Sequence, residues 1–170
     1  MKDLSPTDMI LGMKISKTYN GISLSLAHSI ERMLYKFDFY NSKPISTPYD
    51  SSISLKMNMG QPVSQLKYSQ LIGSLLYISN RTRPDISYVV GRLSRYTTNP
   101  SREHWTTLER VFRYLRGTID FCLTYTGYPD VMKGYSDANW VTNSNSVKST
   151  TGYVFMFGGA LCSKNPANKQ

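Results

Sequence analysis

Along this chain apolar residues recur first with period 2, then with period 3.6. They then lose any period, return to 3.6 and end with period 2 again. "ILGMKIS" and "GISLSL" are alternating runs joined by "KTYNG", and the Asn20-Gly21 pair predicts a hairpin turn because both residues tolerate positive φ. A helix follows over Ala27–Phe37, with Ile30, Leu34 and Phe37 on one face. "NSKPISTPYDSSISLKMNMGQPV" holds Pro44, Pro48 and Pro62, many serines and no sustained period, so it reads as an extended connector and as the expected domain boundary.

The returning helical period predicts three helices. "YSQLIGSLLYIS" buries Leu71, Leu75 and Ile78. In "TRPDISYVVGRLSRYTTNP", Thr82 and Asp85 resemble a capping box, Pro84 falls in the first turn, and Ile86, Val89, Val90 and Leu93 form the core face. In "SREHWTTLERVFRYLRGT", Trp105, Leu108, Phe112 and Leu115 face inward, Arg102, Glu109 and Arg113 face outward, and Gly117 supplies a C-terminal stop. "DFCLTYT", "VMKGYSDANWV", "STTGYVFMFGG" and "ALCSK" then read as short strands of an antiparallel meander, rich in aromatic and β-branched residues. The expected class is therefore α+β, with an N-terminal hairpin and helix, a central three-helix bundle and C-terminal antiparallel strands. Pro166 is expected to weaken a central strand, which would leave an open sheet edge bearing aromatics.

Composition narrows the class. At 170 residues, 40% hydrophobic and 18% charged, the chain is long enough to bury a core and is not composed like a disordered segment. No apolar run is long enough to span a bilayer and "MKDLSPTDMI" has no signal-peptide core, so an intracellular chain with no membrane partner is expected. Two cysteines without short spacing, Cys122 and Cys162, argue against a disulfide scaffold and read as small core residues on strands. The net charge is +9, and eight of the nine arginines lie between Arg81 and Arg116. Such a concentration suits a nucleic-acid backbone, because guanidinium bonds phosphate bidentately and gains from counterion release, but on charge alone a solvated helix face fits equally.

"MKDLSPTDMILGMKIS", "YSQLIGSLLYISNRTRPDISYVVGRLSRYTTNPSREHW", "RVFRYLRGTIDFCLTY" and "GYSDANWVTNSNSVKSTTGYVFMFGG" resemble, in order and over essentially the whole chain, copia-type LTR-retrotransposon Pol polyproteins. The resembling part runs from the end of the reverse transcriptase into the start of RNase H. The resemblance implies four segments: 1–43 as the end of the palm, with a thumb-like hairpin and helix; 44–64 as the connector; 65–128 as a thumb or connection region gripping template–primer; and 129–170 as the first strands of a truncated RNase H-like fold. It makes Asp137 the first RNase H carboxylate, a magnesium ligand in the complete enzyme; the residue-level alternative is an ordinary strand-end aspartate. It also departs from the family at "LCSKNPANKQ", where "SW" and a basic, serine-rich stretch are expected.

The chemistry expected from these positions is incomplete. RNase H action needs two metal ions held by several carboxylates, and no Asp or Glu follows Asp137. Asp120 and Asp130 are nearest but sit in turn-like contexts, and no two acids are adjacent anywhere, as a polymerase metal motif requires. His104 reads as a capping or surface residue and His28 as a polar residue at a helix start; there is no G-x-S-x-G elbow, and "FGGA" is a lone glycine pair. The helical tyrosines Tyr68, Tyr77, Tyr88, Tyr96 and Tyr114 read as core or rim rather than as stacking platforms for bases. The favoured expectation is a polyprotein segment without catalysis, cofactor or small-molecule substrate of its own. The alternative is a module binding template–primer or RNA/DNA hybrid, with Arg92, Arg95, Arg102, Arg110, Arg113 and Arg116 on the phosphates. A third reading, in which Asp137 completes the site of another chain, requires magnesium-dependent cleavage.

Overall fold

A computed structural model describes residues 8–139 and 150–168. Trp140 and the following "VTNSNSVKS" of the aspartate motif lie outside the described residues. The expected α+β class holds, with four α-helices and two antiparallel sheets among the described residues. No helix among the described residues is long and apolar enough to cross a membrane.

The chain forms two compact units. The first gathers the stretch up to Ile10, Lys14–Leu24 and the residues from Leu123 on. Its first sheet has the order β1-β2-β3-β4, from Met9–Ile10, Met13–Thr18, Gly21–Ser25 and Leu123–Tyr125. The predicted hairpin is β2 and β3, but Tyr19 and Asn20 make the turn and Gly21 opens β3. Gly21 has φ +149°, and a Cβ there would lie 1.9 Å from the Tyr125 carbonyl oxygen, so only glycine lets the neighbouring strand close in. That neighbour corrects the expected meander. "LTY" of β4 pairs antiparallel with β3, Ile22 opposite Tyr125, rather than with the strands that follow it.

The second sheet has the order β5-β6-β7, from Lys133–Asn139, Thr150–Phe157 and Ala160–Asn168. Contrary to expectation, β7 continues through Pro166, which lies opposite Gly152. β7 is last in the sheet order, where a residue without an N–H costs least. Tyr153 and Phe155 remain exposed on β6 with ring centroids 5.5 Å apart, and Phe155 leans over Gly134, where a Cβ would meet it at 2.7 Å. Cys122 and Cys162 are exposed rather than in the core, and neither is in a disulfide.

The second unit is Leu11–Met13 with Ser25–Cys122. Its helices are α1 (Ala27–Lys36), α2 (Gln65–Arg81), α3 (Ser87–Leu93) and α4 (Arg102–Gly117). The apolar stripes predicted from periodicity do meet. Leu71, Leu75, Ile86, Val90, Leu93, Leu108, Phe112 and Leu115 are all 0% exposed, each contributing about 1.5–3 kcal/mol of transfer free energy. Ile30 and Leu34 of α1 belong to the same cluster, so the bundle has four helices rather than three. Phe39 stacks on Phe112 at 4.6 Å, which folds the chain leaving α1 back onto α4.

Helix ends differ from the sequence reading in two places. Thr82 and Asp85 form no capping box: Arg83 occupies the N-cap position without a side-chain cap bond, Pro84–Ile86 is a single 3-10 turn, and the buried Thr82 hydroxyl has no partner among the described residues. Gly117 is the last residue of α4 rather than a left-handed stop. Its small size matters because a Cβ would come 3.0 Å from Pro44. Pro44 belongs to the connector at 44–64, which is irregular as expected yet lies wholly inside the second unit. Leu55 is buried, and Ile45, Tyr49 and Ile53 pack against the same core, because the connector carries apolar residues between its prolines and serines.

Candidate functional site

Asp137 sits near the end of β5, exposed and opposite Gly152 of β6. Strand alternation puts it on the face of Lys133 and Tyr135, away from Ser136 and its partner Tyr153. Asp120 and Asp130 are also exposed, in turn or irregular segments outside any strand. Among the described residues no three His, Cys, Asp or Glu side chains gather where they could hold a metal ion. The two magnesium ions that the resemblance implies need several anionic oxygens converging on one point. The donors present among the described residues do not fit them.

The arginines form a pattern that the charge distribution did not reveal. Along α4, Arg110, Arg113 and Arg116 are spaced by three, so they fall along one side of the helix. Arg110 donates from Nε to the Thr47 carbonyl at 3.2 Å and from Nη2 to the Thr47 hydroxyl at 2.8 Å, with Asp50 3.5 Å from Nη1. Arg113 Nε donates to the Lys43 carbonyl at 2.8 Å. Arg116 Nε donates to the Tyr40 carbonyl at 2.6 Å, and its guanidinium lies 4.7 Å from the Tyr40 ring centre. As α4 runs forward, its partners run backward from Thr47 through Lys43 to Tyr40. Backbone carbonyls of an irregular segment have no ladder partner, and the guanidinium fork supplies the missing donors. Arg92 on α3 joins the same arrangement, donating to the Tyr49 and Tyr88 hydroxyls at 3.2 Å each.

Four of the six arginines assigned to phosphates therefore hold residues 40–50 against the helices. Arg95 and Arg102 are exposed, and among the described residues neither guanidinium has a hydrogen-bond or ion-pair partner. The tyrosines divide as well. Tyr68 is fully buried and donates to the Leu93 carbonyl at 3.0 Å, whereas Tyr77 and Tyr88 are exposed.

Two polar clusters escaped the sequence reading in whole or part. Arg83 is 1% exposed. Its Nη2 donates to Asp85 Oδ2 at 2.7 Å and to the Thr118 hydroxyl at 2.6 Å, and its Nη1 donates to the Thr118 carbonyl at 2.8 Å. The guanidinium packs between the rings of Tyr114, at 5.4 Å, and Phe121, at 5.3 Å. Tyr114 donates its hydroxyl to Asp85 at 2.8 Å. Burial pushes the Asp85 carboxyl pKa up, but the hydrogen bonds from Arg83 and Tyr114 and the Arg83 charge outweigh it, so the carboxyl stays below its usual range. The network ties the α2–α3 corner to the end of α4. The only local signal for it was an acid two residues after the arginine; Thr118 is too distant in sequence to be read.

The second cluster caps α4. Ser101 Oγ accepts from the His104 N–H at 3.3 Å, and His104 Nδ1 accepts from the Ser101 N–H at 2.9 Å, a reciprocal cap with histidine in the usual Glu/Gln place. His104 is wholly buried and stacks on Tyr96 at 3.9 Å. Its Nε2 is buried without a hydrogen-bond partner among the described residues. Burial lowers its pKa, more than the Glu103 charge and the Lys56 backbone raise it.

No family model matches the chain, and no solved structure matches it. Curated relatives do. The chain is 41% identical over 172 residues to the retrovirus-related Pol polyprotein from transposon TNT 1-94 of Nicotiana tabacum, an alignment covering 96% of this chain and 13% of the relative. It is 33% identical over 160 residues to the Pol polyprotein from transposon RE2 of Arabidopsis thaliana, covering 93% of this chain and 11% of that one. A transposon Ty5-1 protein of Saccharomyces cerevisiae is 35% identical over 163 residues, with 94% of this chain and 53% of the relative covered. The chain thus spans about an eighth of the length of the plant polyproteins and about half of the yeast protein. Shared over nearly its whole length, these similarities place the chain in the copia-type, retrovirus-related Pol polyproteins of transposons.

Proposed function

We propose that the chain is the Pol stretch that runs from the end of the reverse transcriptase through the connection into RNase H-like strands, and that on its own it catalyses neither reaction. The observation that carries this reading is the isolation of Asp137, an exposed carboxylate with no metal-holding cluster around it among the described residues. What remains is a structural role: a helical unit knit together by arginines, carrying strands at both ends. The test is an assay of the purified chain with magnesium for cleavage of an RNA/DNA hybrid and for primer extension. Neither activity is expected above a protein-free control, in the wild type or in Asp137→Asn. Magnesium-dependent cleavage that disappears in Asp137→Asn would overturn the reading.

A second reading, nucleic-acid binding, is favoured by the two exposed arginines without partners and by the net charge of +9. Its contacts are then Arg95 and Arg102, with the clamped four in a supporting role. In a salt titration with an RNA/DNA hybrid, each of Arg95→Gln and Arg102→Gln should lower the log–log slope by about 1. Binding that ignores salt would dismiss it.

A further inference from the structure

Between α1 and α2 lies an open groove of about 480 Å³, within the range of pockets that bind ligands. Its floor is apolar, from Met33, Phe37 and Ile78. Arg32 and Lys36 line the α1 side one helical turn apart, and Ser69, Ser74 and Gln70 line the α2 side. No acidic residue lines it. Both cations are held in place: Arg32 Nη2 lies 2.9 Å from His28 Nε2, and Lys36 Nζ sits 5.3 Å from the Phe37 ring centre. Gly73 is in the middle of the α2 wall, and a Cβ there would meet nothing within 4 Å. A glycine inside an exposed helix costs about 1 kcal/mol against alanine, so local stability does not account for it. Its effect here is to widen the groove.

We infer that this groove docks an acidic amphipathic peptide segment, whose apolar side chains fill the floor while its carboxylates meet Arg32 and Lys36. Charge complementarity selects the occupant. An apolar body alone leaves two cations facing it unpaired. A nucleic-acid backbone offers phosphates but nothing apolar to cover Met33, Phe37 and Ile78. An amphipathic helix with leucines at i, i+3, i+4 and i+7 and glutamates beside them satisfies floor and rim together.

The probe is a fluorescein-labelled helical peptide of roughly four turns with that leucine and glutamate pattern, its binding followed by fluorescence anisotropy. A control peptide has each glutamate replaced by glutamine. The glutamate peptide should bind the intact chain about tenfold more tightly than the glutamine peptide, and added salt should narrow the difference. Gly73→Trp fills the groove from a position where the new side chain meets open space, and should abolish binding while the urea midpoint stays at or above that of the wild type. Arg32→Gln combined with Lys36→Gln should erase the preference for glutamate. Equal binding of the two peptides, undiminished binding to Gly73→Trp, or full displacement of the peptide by a single-stranded oligonucleotide would each overturn the inference.

Discussion

Replacing Arg83 by methionine tests whether the buried guanidinium holds the helical unit together. Methionine keeps the aliphatic bulk between Tyr114 and Phe121 but removes every donor. Asp85 loses the bond from Nη2 at 2.7 Å and those from Nε at 3.1 and 3.2 Å and keeps the Tyr114 hydroxyl at 2.8 Å, while the Thr118 carbonyl and hydroxyl each lose a partner. Breaking a buried ion pair from one side costs about 3–5 kcal/mol. The Asp85 side chain is 30% exposed, so water recovers part of its solvation and the loss belongs near the low end, about 3 kcal/mol. Urea unfolding followed by tryptophan emission reads this directly. Trp105 is half-buried in α4 and donates its indole N–H to Glu109 at 2.6 Å; a Trp140→Phe background leaves it the sole emitter. With a urea m-value of about 1.5 kcal/mol/M, the midpoint should fall by about 2 M with m unchanged. In an Asp85→Asn background the same substitution should cost about 1–2 kcal/mol less, because no buried charge is stranded. A loss below about 1 kcal/mol in the single variant would show that the network is not holding the corner, and would refute the reasoning.

Two further outcomes follow from local geometry. The His104 pKa is lower folded than unfolded, so the unfolded chain takes up the proton first; stability is full above the unfolded value of about 6.5 and is lost as pH falls through the folded one. Urea midpoints should drop between pH 7.5 and 5 in the wild type, whereas His104→Gln, which preserves the capping acceptor, should remove most of that drop; an unchanged pH dependence would dismiss histidine as its source. Gly21→Ala forces a Cβ against the Tyr125 carbonyl and should open the β3–β4 pairing, seen as lost amide-exchange protection at Ile22 and Leu24, while protection in α2 and α4 persists. Retained protection at Ile22 would refute the close approach.

What could be read from the sequence was what local periodicity carries. The inward positions of α2, α3 and α4 lie where the i, i+3, i+4 pattern puts them, since each stripe is a property of one helix; the exception is Trp105, which is only half-buried and bonds Glu109, expected on the opposite face. Pairings across long sequence distances could not be read. Thr47, Lys43 and Tyr40 offer only backbone carbonyls to Arg110, Arg113 and Arg116, so nothing in their side chains announces the match. Arg83 looked like its neighbours because charge counts do not distinguish a guanidinium in water from one between two rings. β4 looked like the first strand of a meander because three residues carry no register. Asp137 was legible as a strand residue; whether other carboxylates surround it depends on three-dimensional placement, which no single-strand pattern encodes.

The return of β4 to β3 has a kinetic consequence. Residues 25–122 are topologically an excursion from the first sheet, leaving after Leu24 and rejoining at Leu123, which pair with each other. Were that excursion an unstructured chain of about a hundred residues, closing it would cost about 4 kcal/mol beyond a fixed term, more than three residue pairs of ladder recover. Once the helices have condensed, most of that entropy is already lost and the strands meet almost as a hairpin would. The helices, rich in short-range contacts, are then the early-folding part, and the first sheet is their dependent. A lesion at Arg83 should therefore loosen β4 as well.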